Sequence, residues 1–159
     1  MPDGDALKEA DEVGSFAGSM RTNMISMLNG IGLQTALGVS STAQLFAERS
    51  DLLASTSAIC HAVFIQGANY SGSPAVDRHP VLTAFARQVL KENLEMVPDA
   101  LVIPLGKAAS KAVELTNISP DRVLSGFPHP SGANGHRARL YAEAREAMTQ
   151  RVRTWTRSS

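Results

Sequence analysis

Apolar positions along this chain recur with helical spacing in some stretches and run together in others. From Ser19, SMRTNMISMLNGIGL sets Met20, Met24, Met27, Leu28 and Ile31 three and four residues apart. That is one face of a helix, with Ser19 as its N-cap and Gly30 or Gly32 near its end. Leu52 to Gln66, LLASTSAICHAVFIQ, is apolar with small hydroxyl residues and no helical charge pattern. It reads as a short strand, a loop and a second short extended piece, and the GANYSGSP that follows reads as turns. Val81, Leu82, Phe85, Val89, Leu90 and Leu94 return to helical period until Pro98 stops them. ALVIPLG, Ala100 to Gly106, is an apolar run of the kind buried in a parallel sheet, and KAASKAVEL follows it at once as a helix. RVLSGF, Arg122 to Phe127, is the next strand. From about Gly135 to Thr154 the chain is helical again, with Leu140, Ala144, Met148 and Val152 on one stripe.

Strands alternating with helices predict an α/β fold in three layers, a mostly parallel β-sheet flanked by helices. At 159 residues the chain is the size of one domain. Residues 1–15 read as an acidic tail or loop remnant and 16–159 as the α/β domain. The loop GFPHPSGANGHR, Gly126 to Arg137, then leaves the carboxyl end of a strand and feeds the last helix, where open parallel sheets bind ligands. Its twelve residues hold two prolines, two histidines, three glycines and an arginine, well beyond the two to six residues of an ordinary connection.

Composition narrows the classes. With 43% hydrophobic and 19% charged residues, the chain is neither disordered in bulk nor built to span a membrane. The N-terminus shows no basic region followed by an apolar stretch, so the expected location is the cytoplasm. A single cysteine, Cys60, forms no internal disulfide and holds no cluster, and it reads as a small buried hydrophobe. His61, His79 and His136 lack metal spacing, so neither a metal nor another cofactor is expected. Formal net charge is zero, but residues 1–16 carry five carboxylates against Lys8, net −4, and residues 136–159 carry six arginines against Glu143 and Glu146, net +4. Such arginines suit phosphate contacts or form a solvated helix face.

Within the loop, His129 stands between Pro128 and Pro130, which stiffen the backbone and aim the ring. A fixed imidazole there suits a hydrogen-bond donor to developing negative charge, or a general acid/base; it equally suits a structural cap on the last helix. Ser131-Gly132-Ala133-Asn134-Gly135 offers backbone N–H groups and a hydroxyl at a helix N-terminus, an arrangement that receives anions. Elsewhere, Thr56, Ser57 and Asn69 are candidates for hydrogen bonds to a base edge, against a role in stabilising their loops. Phe64 and Tyr70 read as core or half-buried aromatics before they read as stacking platforms. Lys107 follows a strand and glycine without the rest of a phosphate loop and reads as a solvated lysine.

HPSGANGHR resembles the H-P-S-P-x-x-x-x-R motif of the uracil-DNA glycosylase superfamily: His129, Pro130, Ser131 and Arg137 match, and Gly132 replaces the second proline. STSAICHAVFIQGANYSGSP, Ser55 to Pro74, is similar to the base-recognition segment of single-strand-selective members. ALVIPLGKAASKAV is similar to the strand and helix between the two motifs. The likeness covers about Met20 to Val152. It implies a monomeric enzyme that hydrolyses the N-glycosidic bond of uracil, or a related deaminated base, in single- or double-stranded DNA after flipping the nucleotide. By that resemblance His129 donates to the departing base, and Ser131, Gly132, Asn134 and Arg137 hold the DNA phosphate. Gly132-Ala133-Asn134 stands where a bulky wedge often fills the gap left by the base.

One motif of that superfamily, a glycine-rich loop after the first strand with a water-positioning Asp or Asn, has no counterpart here. Asp3, Asp5 and Asp11 lie in unpatterned sequence. The expectation is therefore a uracil-DNA glycosylase-like fold without its first strand: either an upstream segment carries that strand and motif, or both are lost and the chain is inactive. A non-catalytic nucleic-acid-binding remnant and a free nucleoside or nucleotide hydrolase are the competing functions.

Overall fold

The computed structural model of the chain describes residues 18–55, 64–65, 68–69 and 80–158. Its elements in chain order are α1 (Gly18–Gly30), α2 (Leu33–Leu37), two 3-10 turns (Thr42–Phe46 and Ser50–Leu52), β1 (Phe64–Ile65), β2 (Ala68–Asn69), α3 (Pro80–Phe85), a π-helical turn (Ala86–Leu90), α4 (Lys91–Glu95), α5 (Lys107–Leu115), a 3-10 turn (Pro120–Arg122) and α6 (Arg137–Ser158). No helix among them is long and apolar enough to cross a membrane.

The described residues are mostly helical, and this overturns the three-layer, mostly parallel sheet expected from the sequence. Strand pairing is confined to the antiparallel β1–β2 pair, with Phe64 opposite Asn69 and Ile65 opposite Ala68, and one parallel bridge, Val102 to Val123. The two apolar runs read as strands do lie side by side. Val102 N–H donates to Arg122 O at 2.7 Å and Leu124 N–H donates to Val102 O at 2.8 Å. The next rung of a parallel ladder needs a donor at position 104, and that residue is proline, which has no N–H. Pairing therefore stops. It resumes once, out of register, where Gly106 N–H donates to Phe127 O at 3.1 Å.

The extended pair separates two apolar clusters. On one side Leu101, Ile103 and Leu105 pack against a core of α1, α2, the first 3-10 turn and α6, centred on Ile31, Phe46, Leu124, Phe127 and Met148. On the other side Val102 and Val123 face Ala86, Leu90, Leu94, Ala112 and Val113. The alternation of odd and even positions is the two-residue period of extended chain.

Helix α1 buries Met24, Met27 and Leu28, as its spacing predicts, but it begins at Gly18, so Ser19 lies in its first turn and is not its cap. Its last turn is closed by α6: Tyr141 Oη donates to Met27 O at 2.7 Å and Arg145 Nε donates to Gly30 O at 3.1 Å, satisfying carbonyls that a helix end leaves open. A Cβ at Gly30 would collide with the Tyr141 hydroxyl. In the 80–95 stretch Leu90 and Leu94 are buried as their spacing predicts, Ala86 is buried beside them, and Phe85 and Val89 are half-buried. A π-helical turn runs through Ala86–Leu90 and widens the local spacing of the inward face.

Candidate functional site

The loop from Gly126 to Arg137 is built on buried prolines. Phe127, Pro128 and Pro130 are all buried, whereas His129 between them is exposed. The fixed φ of each proline and the packing of its ring hold the backbone on both sides, and the imidazole is the group left facing solvent.

Hydrogen bonds then fix the loop's shape. Three successive carbonyls are each held by a side-chain donor: His129 O by Asn134 Nδ2 at 3.1 Å, Pro130 O by Asn23 Nδ2 at 3.0 Å, and Ser131 O by Arg137 Nη1 at 2.8 Å. Ser131 Oγ accepts from Ala133 N–H at 3.1 Å, Asn134 Oδ1 accepts from His136 N–H at 3.2 Å, and Asn134 N–H donates to Ser131 O at 3.1 Å. The backbone N–H groups of Gly132 and Gly135 have no partner among the described residues. Of the five N–H groups from Ser131 to Gly135 that the sequence offered to an anion, those of Ala133, Asn134 and, through the His129 ring, Ser131 are taken within the loop and the two glycines remain.

Ser131 N–H donates to His129 Nδ1 at 3.2 Å. With Nδ1 engaged as the acceptor, Nε2 is the ring nitrogen left for a ligand.

Three helix N-termini meet at the loop. It runs directly into α6 at Arg137. A Cβ built on Gly106, the residue before α5, would lie 3.2 Å from His129 Cβ, and one built on Gly132 would lie 3.4 Å from Ser19 Oγ in the first turn of α1. Gly106 has φ 89° and ψ 179°, a conformation essentially confined to glycine. Each helix start carries a partial positive charge of about half a unit, so an anion is favoured where the loop meets them. Lys107, at the first position of α5, is exposed.

The remaining predicted residues are not brought to this loop by anything described. Asn69 is in β2, paired with Phe64. Thr56 and Ser57, like Cys60, His61, Tyr70 and His79, lie outside the described residues. His136 is exposed at the start of α6. Among the described residues no three His, Cys, Asp or Glu side chains gather as a metal site would require. A shallow crease on the outside of α6, lined by Arg145, Glu146, Thr149 and Arg153 among others, involves one helix only. Sequence reasoning missed Asn23, Ser19 and Gly106 as parts of the loop's surroundings. Gly106 had a local signal, a glycine between an extended run and a helix, whereas Asn23 is 107 residues from its partner and has none.

Comparison with known proteins adds one relative. No protein-family model matches the chain, and no solved structure matches it. It is similar to YoxB, an uncharacterized protein of Bacillus subtilis (strain 168), with 42% identity over 149 residues, 88% of this chain and 57% of the relative. The chain thus spans little more than half the length of that relative.

Proposed function

We propose that the chain acts on DNA as a base-excision glycosylase, with His129 as the group that receives the departing uracil or related deaminated base. The observation that carries this reading is the Ser131 N–H bond to His129 Nδ1, which holds the ring on an exposed residue between two buried prolines and leaves Nε2 to meet a ligand. When the N-glycosidic bond breaks, its electron pair stays with the base, and negative charge spreads to the carbonyl oxygens. A preorganised donor aimed at such an oxygen binds the transition state more tightly than the substrate and therefore raises the rate. The helix N-termini, the Gly132 and Gly135 N–H groups and Lys107 supply the phosphate contacts that any DNA ligand requires. Arg137 contributes by holding Ser131 O, so its role is to shape the loop that meets the phosphate.

A second reading, nucleic-acid binding without chemistry, is favoured by one observation: among the described residues no carboxylate hydrogen-bonds to the His129 loop to orient an attacking water. One experiment separates the two. Uracil-containing oligonucleotides, single- and double-stranded, are incubated with the protein, their abasic sites are cleaved with alkali, and affinity is measured in parallel. Strand cleavage that His129→Ala abolishes supports the enzyme. Binding that depends on Lys107 with no cleavage supports the binding protein, and absence of both overturns both readings.

A further inference from the structure

We infer that Asn23, on α1, is a positioning residue of the His129 site, an inference that rests on reading His129 as the donor to the leaving base. Of the three side chains that hold the loop carbonyls, Asn134 and Arg137 lie within six residues of their acceptors and hold the loop against itself. They determine its shape. Asn23 reaches it from a different element, across 107 residues of sequence, and its acceptor is the carbonyl of the residue next to His129.

Other features place the same face of α1 against the loop. Ser19 is one helical turn before Asn23, so both side chains project from one side of the helix. Ser19 Oγ would be 3.4 Å from a Cβ at Gly132, and Pro130, whose carbonyl Asn23 holds, is fully buried. The loop therefore rests on Ser19 and Asn23 from below, while Gly106 meets His129 from the side of α5. The bond from Asn23 sets how the preformed loop is tilted on α1, and the direction of the His129 Nε2–H vector follows from that tilt. A donor aimed at a developing charge depends steeply on such direction: a displacement of about 1 Å costs on the order of a hundredfold in rate.

A second asparagine on the same helix provides the control. Asn29 accepts Thr42 N–H at 2.9 Å and donates to Ser41 Oγ at 3.2 Å. Those contacts stabilise α1 against the 3-10 turn and involve no residue of the loop.

The test compares Asn23→Ala, Asn23→Asp and Asn23→Gln with Asn29→Ala in the full chain. Asn23→Asp keeps the shape and removes the donor, and Asn23→Gln keeps the donor. The readouts are the His129 ring nitrogen shifts, the amide resonances of residues 131–136, thermal stability, and single-turnover excision with affinity on a uracil oligonucleotide. Asn23→Ala and Asn23→Asp are expected to alter the ring and loop resonances and to slow excision ten- to a hundredfold with affinity changed less than twofold. Asn23→Gln is expected to restore part of both, and Asn29→Ala to lower stability while leaving the His129 shifts alone. The inference is overturned if Asn23→Ala and Asn23→Asp leave the ring and loop resonances unchanged, or if Asn29→Ala changes them equally. Should the wild-type chain excise nothing, the glycosylase reading fails, and the resonances still decide the role of Asn23.

Discussion

Gly106 is the position where backbone conformation and the candidate site meet most directly, and Gly106→Ala separates the two contributions. At φ 89° and ψ 179° a residue with a Cβ is strained. Holding a non-glycine residue in that region costs about 1–3 kcal/mol, and the reduced freedom of alanine in the unfolded chain offsets about 0.4–1 kcal/mol of it. A net loss of about 1–2 kcal/mol corresponds to a fall in melting temperature of roughly 2–8 °C for a domain of this size. The new methyl group would also sit 3.2 Å from His129 Cβ, a contact that obliges the histidine backbone or the α5 turn to give by a few tenths of an ångström. Gly38→Ala is the comparison. Its φ of 74° imposes a related strain, and nothing lies within 4 Å of its added Cβ. Thermal denaturation and the His129 ring resonances, measured on both variants, should show a loss of stability in each and a shifted ring in Gly106→Ala alone. A Gly106→Ala protein as stable as wild type, or one destabilised with the His129 resonances unmoved, would refute the reasoning.

Three further outcomes follow from individual contacts. Desolvation raises the Tyr141 hydroxyl above its ordinary value of 10.0, with the Arg145 charge opposing it, so the folded state holds that proton longer than the unfolded chain. Its contribution is complete below pH 10 and declines as pH rises through the folded value; Tyr141→Phe should cost about 1 kcal/mol at neutral pH in denaturant titrations, and less well above pH 10. Arg122 closes the C-terminal end of α4 with Nη1 on Pro98 O and Nη2 on Leu94 O, both at 2.9 Å, and Arg122→Lys, which loses the planar fork, should lower the urea midpoint by the equivalent of about 1–2 kcal/mol. Thr42 is fully buried with Oγ1 in hydrogen-bonding range of Ile25 O and Asn29 Oδ1, so Thr42→Val should destabilise by about 1–3 kcal/mol in the same titration despite its matched shape.

Where a feature of this chain follows from local rules, it was legible before any coordinates. The methionine and leucine spacing of α1 and the Met148–Val152 stripe of α6 mark helices that bury those residues, because a period of 3.6 leaves one face apolar whatever the partner. The prolines flanking His129 likewise announced a stiff loop with one ring presented, since the restriction on φ belongs to the residue itself. The sheet was misread for a reason that was also in the letters. ALVIPLG has the apolar density of a buried strand, but Pro104 falls on the donor rung of the ladder, and one missing N–H outweighs the propensity of its neighbours. The burial of Ala86 in place of Phe85 had no such mark, because a π-helical turn inserts a residue without a distinctive side chain. Nor had Asn23: a polar residue on an amphipathic helix reads as solvent-facing, and its partner is chosen by tertiary packing.

The loop is proposed to present His129 as the donor to a departing nucleobase. That role is tested most directly by single-turnover release of uracil from a single-stranded oligonucleotide, compared between the wild-type chain and His129→Ala at concentrations that saturate both. Release by the wild type is expected, with a rate about a hundred- to a thousandfold lower for the variant at similar affinity, the usual effect of removing one oxyanion donor. Equal rates in the two proteins, or no release by the wild type, would contradict it.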